Sequence, residues 1–296
     1  MAKFKLGIIG GSGLYDIDGI EGVRTEELET PFGAPSDNFI CGTLDGAEIV
    51  FLPRHGKNHA ILPSELNHHA NIYGMKKLGV THILSISAVG SLKEELRPRD
   101  IVVVDQYFDR TKQAAKHTFF GDGLVAHISF ADPVCPELAS LAVAAAKEAV
   151  LESDDTSRQV FATGTYINME GPAFSTKAES MVYKSWGMDV IGMTNMAEAK
   201  LAREAEICYS TMAMVTDYDC WHPGHDNVTV ELVIANLVAN SALAKAAIKK
   251  VALAIEQLGK KCGCGNALAC ALITHKASVP VETIEKLAPI VGRYFK

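Results

Sequence analysis

Seven short apolar runs rich in β-branched residues do most to limit how this chain can fold: KLGIIG from residue 5, EIVFL from 48, THILSIS from 81, DIVVVD from 100, VFATGTYI from 160, DVIGM from 189 and ICYSTMAMV from 207. Each has the length of a buried strand. Helical patterns lie between or after several of them. In 63–79, Leu66, His69, Ala70 and Tyr73 fall at i, i+3, i+4 and i+7, with Pro63 and Ser64 as start signals and Gly79 as a stop. Similar periods run over 136–150, 176–186, 197–205 and 228–258. Strands alternating with helices predict an α/β fold, with a mixed central β-sheet flanked by helices. With 296 residues, 48% of them hydrophobic, the chain can bury a substantial core. No Pro/Gly/Ser-rich linker, composition break, repeat or low-complexity segment divides it, so residues 1–296 read as a single domain.

A formal charge of −7 and a pI near 5.8 argue against nucleic acid as the main partner, because binding a phosphate backbone leaves a basic face. A small anion in a local basic pocket is compatible with the same charge. No apolar run reaches the roughly 18 residues of a membrane span. The first residues pass into a strand pattern without the regions of a secretory leader. A cytoplasmic protein without membrane contact is expected.

Ligands of open α/β sheets gather at the carboxyl ends of strands, and polar residues follow the apolar runs here repeatedly. Ser12 follows LGIIGG, Arg54 and His55 follow EIVFLP, Ser87 with Ala88 and Gly90 follows THILSI, Thr194 follows DVIGM, and Asp217 follows ICYSTMAMVT. Five strand ends can converge on one pocket. The first, GIIGGSGLYD, lacks the G-x-G-x-x-G register of a dinucleotide site. Its exposed N–H groups and the Ser12 hydroxyl suit a single phosphate, and a ligand-free tight turn is the other reading. Arg54 offers a planar fork for an anion, and His55 and His59 add donors that titrate near neutral pH. The two histidines are spaced i, i+4 without H-E-x-x-H, so a zinc protease is not indicated. His68, His69, His82, His222, His225 and His275 read as structural or surface residues. In NMEGPAFSTKAES a Gly-Pro turn sets Phe174 beside Ser175, and an aromatic there is either core or a stacking surface for a flat ring.

The seven cysteines are too few and scattered for the framework of a small secreted protein. Cys262, Cys264 and Cys270, followed by His275, do cluster in CGCGNALACALITH. Metal binding, a C-x-C redox pair and plain thiols are the three readings, and the spacing lacks the paired C-x-x-C knuckles of common zinc sites.

GIIGGSGL, RHGKNH, SAVGSLKEE, EGPAFSTKAES, DVIGMTNMAEAKLAREAEICY and TDYDCW occur in this order across about residues 5–240. Together they resemble the 5'-methylthioadenosine phosphorylases of the purine nucleoside phosphorylase superfamily. That resemblance implies a phosphorylase-type α/β fold and a salvage reaction in which phosphate displaces adenine from methylthioadenosine, with no metal or organic cofactor. It implies that Ser12, Arg54, His55, Ser87, the Ala88 backbone and Thr194 hold phosphate, that Met193 packs on the ribose, and that His59 lies near phosphate and sugar. Phe174 and Ser175 would line the base site, and the segment Asp217, Tyr218, Asp219 would bind adenine. His127, contributed by a neighbouring subunit, and Val230 with Val233 would form an apolar 5' pocket in a homotrimer or hexamer. A related phosphorylase for methylthioinosine or 6-oxopurine nucleosides is the alternative.

Chemistry explains the acid pair in TDYD. In an extended chain residues i and i+2 point the same way, so Asp217 and Asp219 are expected to face one pocket while Tyr218 faces elsewhere. Carboxylates accept from the exocyclic amine of adenine but oppose a 6-oxo group. Asp217, with its pKa raised by burial and a neighbouring acid, is the expected proton source at N7 of the leaving base. Gly192 departs from the Asn of animal-type members, which bears on the ribose contacts.

Overall fold

The structure, a computed structural model, describes residues 4–11, 14, 19–224, 230–258 and 262–296, without the side chains of Ala114, Val230 and Leu232. The strands are β1 (Lys5–Gly10), β2 (Ile20–Glu26), β3 (Phe39–Leu44), β4 (Ala47–Pro53), β5 (His82–Ser91), β6 (Ile101–Val104), β7 (Gln106–Asp109), β8 (Val160–Phe161), β9 (Thr165–Asn168), β10 (Val190–Gly192) and β11 (Cys208–Asp217). The helices are α1 (His68–Lys77), α2 (Pro136–Leu151), α3 (Lys177–Ser185), α4 (Asn195–Glu204), α5 (Val230–Ile255), α6 (Val281–Lys286) and α7 (Ala288–Val291). Among the described residues no helix is long and apolar enough to cross a membrane.

All eleven strands join one mixed sheet, as the alternation predicts. Strand β5 is its hub. One edge pairs with β1 in parallel and, further along, with β10 in antiparallel; the other edge pairs with β11 in parallel over nearly its whole length. β4 runs parallel to β1, and β2, β3 and β4 form an antiparallel meander. The ends of β1, β4, β5 and β11 therefore lie side by side, which is what brings their terminal polar residues together.

Helices cover both faces. On one, Met212 and Met214 of β11 pack with Leu138 and Ala142 of α2 and with Ala247 and Val251 of α5. On the other, Tyr209 packs with Ile72 of α1, Leu201 of α4 and Ile290 of the C-terminal segment. All ten residues of β11 are buried, which is why its run reads as continuously apolar. Helix α3 starts with a capping box, the Thr176 hydroxyl accepting from Glu179 N–H and the Glu179 carboxylate accepting from Thr176 N–H.

Some expectations need correction. The 63–79 segment is a 3-10 turn (Pro63–Glu65) and then α1, whose true cap is Asn67, its Oδ1 accepting from Ala70 N–H at 3.1 Å. VFATGTYI divides into β8 and β9, because Gly164 leaves the sheet to donate its N–H to Asp105 at 2.9 Å. The C-terminal cysteine grouping also separates: Cys270 is exposed and His275 caps a 3-10 turn, whereas Cys262 and Cys264 meet Cys135 and Cys208.

Gly74 marks the closest approach of α1 to the sheet, since a Cβ there would penetrate the Phe39 ring, standing 2.6 Å from Cε2. Overpacking a buried ring costs about 1–3 kcal/mol. Gly74→Ala is expected to lower the urea midpoint despite better helix propensity, and Phe39→Leu should destabilise the Gly74→Ala background less than the parent in a double-mutant cycle.

Candidate active site

Arg54 stands at the end of β4 with its backbone N–H on the Gly10 carbonyl at 2.8 Å, which fixes it beside the end of β1. Its side chain is almost wholly buried. Nε donates to Glu198 Oε1 at 2.6 Å, Nη2 reaches Glu198 Oε2, Ser85 Oγ and the Ile9 carbonyl, and Nη1 donates to the Ile86 carbonyl at 2.9 Å. Of the five guanidinium hydrogens, one on Nη1 is left over. The open fork expected from sequence is thus mostly engaged by the protein. Glu198 also accepts from Ser85 and from the Tyr209 hydroxyl. Burial pushes the Glu198 carboxyl up, but the charge and hydrogen bonds of Arg54 outweigh it and hold it below its ordinary range.

The network continues into the start of α4. Asn195 Nδ2 lies within hydrogen-bond distance of Ser85 Oγ, Tyr209 Oη and Thr211 Oγ1, and Asn195 Oδ1 accepts from the Thr194 hydroxyl at 3.1 Å. Sequence reasoning missed Glu198, Asn195 and Ser85. A signal existed: Asn195 and Glu198 fall at i, i+3 on the same helix face as Ala199 and Ala202, so two polar residues share a small-residue packing face.

His55 is buried beside Arg54, and its Nδ1 donates to the Ile61 carbonyl at 2.9 Å. Burial first, and the charge of Arg54 second, lower its pKa to about 4, so the ring is neutral at pH 7. The exposed His59 ring stacks on it at 4.5 Å. Ser87 lies on β5 with Oγ 3.5 Å from the Tyr166 hydroxyl, and half-buried Ala88 follows. Burial raises the pKa of the Tyr166 hydroxyl, with the nearby Ser87 hydroxyl and Thr194 N–H pulling it partly back. Gly192 is explained here, because a Cβ would overlap Tyr166 Oη and stand 2.5 Å from Cζ. Tyr166 thereby fills the volume that a side chain at 192 would take.

The acid pair lies at the end of β11, where the register with β5 slips between Val215 and Asp217 and puts Asp217 opposite Gly90. Both acids are buried and both flank Gly90. Their convergence has a different cause from the extended pairing expected. Asp219 has φ of 49°, and the chain curls so that its N–H donates to Asp217 Oδ1 at 2.8 Å. Desolvation raises Asp217 to about 6, against the pull of hydrogen bonds from Thr216 and Asp219. Asp219 is also raised by burial, and its Oδ2 is buried without a well-formed hydrogen bond, the nearby Ser180 hydroxyl pulling its pKa only partly back.

Other predicted residues divide. Met193 is half-buried beside Gly171 and lines a cleft of about 180 Å³ with His68, His117 and Asn168. Phe174 is 45% exposed, and Ser175 is tied to the Asp219 turn through Cys220 Sγ, 3.3 Å from its carbonyl. Tyr218 faces away, donating to the Glu94 carbonyl and stacking on His222. Val233 is half-buried on α5, and His127 is exposed with its backbone on Ala271, joined to none of these residues within the chain. Ser12, His225 and the side chain of Val230 lie outside the described residues.

Residues 5–253 match a family described as the phosphorylase superfamily. The chain is 56% identical to S-methyl-5'-thioadenosine phosphorylase of Geobacter sulfurreducens over 98% of both chains, and 54% identical to that of Koribacter versatilis over 98% and 97%. A methylthioadenosine phosphorylase from an Antarctic soil metagenomic library superimposes with a TM-score of 0.91 at 46% identity, covering 98% of this chain and 99% of that one. The Schistosoma mansoni methylthioadenosine phosphorylase in complex with adenine gives 0.82 at 36% identity, over 90% and 96%.

The Arg54–Glu198 pair yields a clear energetic expectation, since removing one member of a buried pair strands the other at a cost of about 3–5 kcal/mol. Glu198→Ala should destabilise the protein by that order in urea unfolding. Adding Arg54→Met should recover part of the loss, and strict additivity of the two substitutions would refute the coupling.

Proposed function

Because the chain belongs to the phosphorylase superfamily, we propose that it catalyses phosphorolysis of 5'-deoxy-5'-methylthioadenosine, giving adenine and 5-methylthio-α-D-ribose 1-phosphate. The observation that carries this reading is the acid pair: a buried carboxyl raised to about 6 beside a second whose outer oxygen lacks a good partner. Such a site accepts from an amine and holds a proton for a leaving base. The names of the relatives, matched over almost their full lengths, support the same substrate.

On the phosphate side the donors are mainly neutral. The remaining Nη1 hydrogen of Arg54, the hydroxyls of Ser12, Ser87 and Thr194 and the Ala88 N–H would donate to the anion beneath the sugar, while neutral His55, its one N–H spent on the Ile61 carbonyl, would accept through Nε2 from a protonated phosphate oxygen, with His59 at the edge. An oxygen of phosphate attacks C1' as the C1'–N9 bond breaks, and the site mainly positions the nucleophile against an oxocarbenium-like carbon. Met193 would pack on the ribose, and Phe174 with Ser175 would cover the base.

On the base side, Asp219 Oδ2 would accept from the exocyclic amine, and Asp217 would give its proton to N7 as the purine departs. Thr216 makes the neutral acid tolerable. Its single hydroxyl hydrogen has two acceptors, Asp217 Oδ2 at 2.7 Å and the Val89 carbonyl at 3.2 Å. When Asp217 is protonated, the hydroxyl donates to Val89 and accepts from the acid. A 6-oxopurine would set an acceptor against Asp219, which disfavours the methylthioinosine alternative. Tyr218 would act from behind, holding the turn.

The 5' pocket would be completed by Val230, Val233 and a neighbouring subunit's His127. A homotrimer, or a pair of them, is part of this reading, as are a cytoplasmic location and a single phosphorylase domain over 1–296, the segment after 253 packing into the common core.

Adenine release from methylthioadenosine should require phosphate, with methylthioinosine much slower in the same assay. A preference for methylthioinosine would overturn the base assignment, and release without phosphate would indicate hydrolysis. Asp217→Asn is expected to lower kcat by about 10²–10⁴. In the parent, kcat/KM at saturating phosphate should fall as pH rises through about 6, where free Asp217 ionises, and this limb should vanish in the variant.

Stability should move the other way. The folded carboxyl holds its proton above its ordinary value of 3.8, so the parent loses stability between that value and about 6. Asp217→Asn, which cannot ionise, should therefore gain thermal stability over the parent at pH 7.5 relative to pH 4. An unchanged difference between the two pH values would refute the raised pKa.

A further inference from the structure

Four of the seven cysteines gather at the start of β11, the opposite end of the strand from Asp217. We propose that Cys135, Cys208, Cys262 and Cys264 form a structural tetrathiolate site for one zinc-class divalent ion. Their sulfurs all lie within 4.8 Å of one another, with Cys208 and Cys262 at 3.5 Å, and all four are free thiols. Thiols are weak hydrogen-bonding groups, so mutual S–H contacts give little reason for four of them to converge. A tetrahedral ion does: zinc–sulfur bonds of about 2.3 Å separate the four sulfurs by about 3.8 Å. That span suits a single ion, and a four-sulfur set selects soft metals over oxygen-seeking ones.

The ligands come from well-fixed backbone. Cys135 precedes Pro136 at the start of α2, with its N–H on the Tyr209 carbonyl at 2.8 Å, and Cys208 opens β11 with its N–H on the Thr81 carbonyl at 3.0 Å. Cys135 occupies the N-cap position of α2, at the positive end of the helix dipole. Cys262 and Cys264 arrive from the segment after α5, in a turn closed by Asn266 N–H on the Gly263 carbonyl. Three of the four are buried and Cys262 is half-buried. With four protein ligands the ion has no position for substrate, which makes the site structural. It ties the C-terminal segment to the origins of α2 and β11.

The test uses the full chain, purified with reductant and analysed for metal. About one zinc per chain is expected, in line with a closed four-ligand site. After chelation, cobalt(II) added to the reduced protein should give the intense visible bands and sulfur-to-metal charge transfer of a tetrahedral thiolate complex, bleached by zinc. Metal loading should protect four cysteines from alkylation. Cys135→Ser and Cys264→Ser should lose the retained metal, and Cys270→Ser should keep it. The wild-type cobalt titration decides the matter even where a variant fails to fold. Absence of thiolate charge transfer with all thiols reactive would overturn the proposal, as would an intact mass lowered by disulfide formation among these cysteines in the freshly isolated protein.

Discussion

The Arg54–Glu198 ion pair is the constraint around which the strand ends are arranged. Both groups are buried, and removing either charge from water is costly unless geometry and further hydrogen bonds compensate. Compensation is supplied from several elements: the Ile9 carbonyl of β1, Ser85 and Ile86 of β5, Tyr209 of β11, and Asn195 at the start of α4. Satisfying the pair therefore forces the ends of β1, β4 and β5 toward α4. A further consequence concerns charge. An arginine already neutralised by a carboxylate presents one remaining hydrogen, so an anion bound there meets hydroxyls and backbone N–H groups more than a bare cation. On the proposed reading this keeps the nucleophile from being held too strongly in the ground state, where uniform binding does not speed the chemical step.

The acid pair is placed by backbone shape rather than by charge pairing. Slippage of one residue between Val215 and Asp217 lets β11 bend where β5 offers Gly90, and a side chain on that glycine would come within 3.0 Å of Asp217 Oδ1. The left-handed Asp219 then closes the turn. Two carboxylates are packed with few charged neighbours, and their raised pKa values follow from desolvation more than from mutual repulsion.

Much of this was legible in the sequence, and what was not has identifiable causes. Buried strands such as β5, β6 and β11 advertise themselves as apolar runs, and the polar residues just past their ends marked the candidate site. β2 gave no such run because it is a largely exposed edge strand. Glu198 was hidden because an acid within a helix ordinarily faces water. Tyr166 was hidden because its hydroxyl does its work at Gly192, a residue distant in sequence, and a glycine does not announce what occupies its missing side chain. Asp217 and Asp219 were paired correctly as neighbours in space, but through a turn that single-residue periodicity cannot reveal. The thiol cluster failed for reasons of separation: the local C-x-C pair is visible, while Cys135 and Cys208 join it only through the packing of α2 against the sheet.

Strand β11 connects the two unusual sites. Its first residue, Cys208, pairs in register with His82, and its last, Asp217, sits opposite Gly90. A ten-residue strand spans roughly 30 Å at about 3.3 Å per residue, so no side chain links the two ends directly. Register does link them. Because side chains alternate faces, a slip of one position would turn Asp217 away from Gly90 and break its pairing with Asp219. β11 is buried on both faces and largely apolar, so the inside–outside pattern that pins the register of a half-exposed strand is weak here. Fixed points must supply what pattern does not. The Tyr209 and Thr211 hydroxyls in the Arg54–Glu198 network are one such point, and the ion proposed at Cys208 would be a second, placed where the strand begins. On the proposed readings, a structural clamp at one end of β11 would bear on the position of the acid at the other.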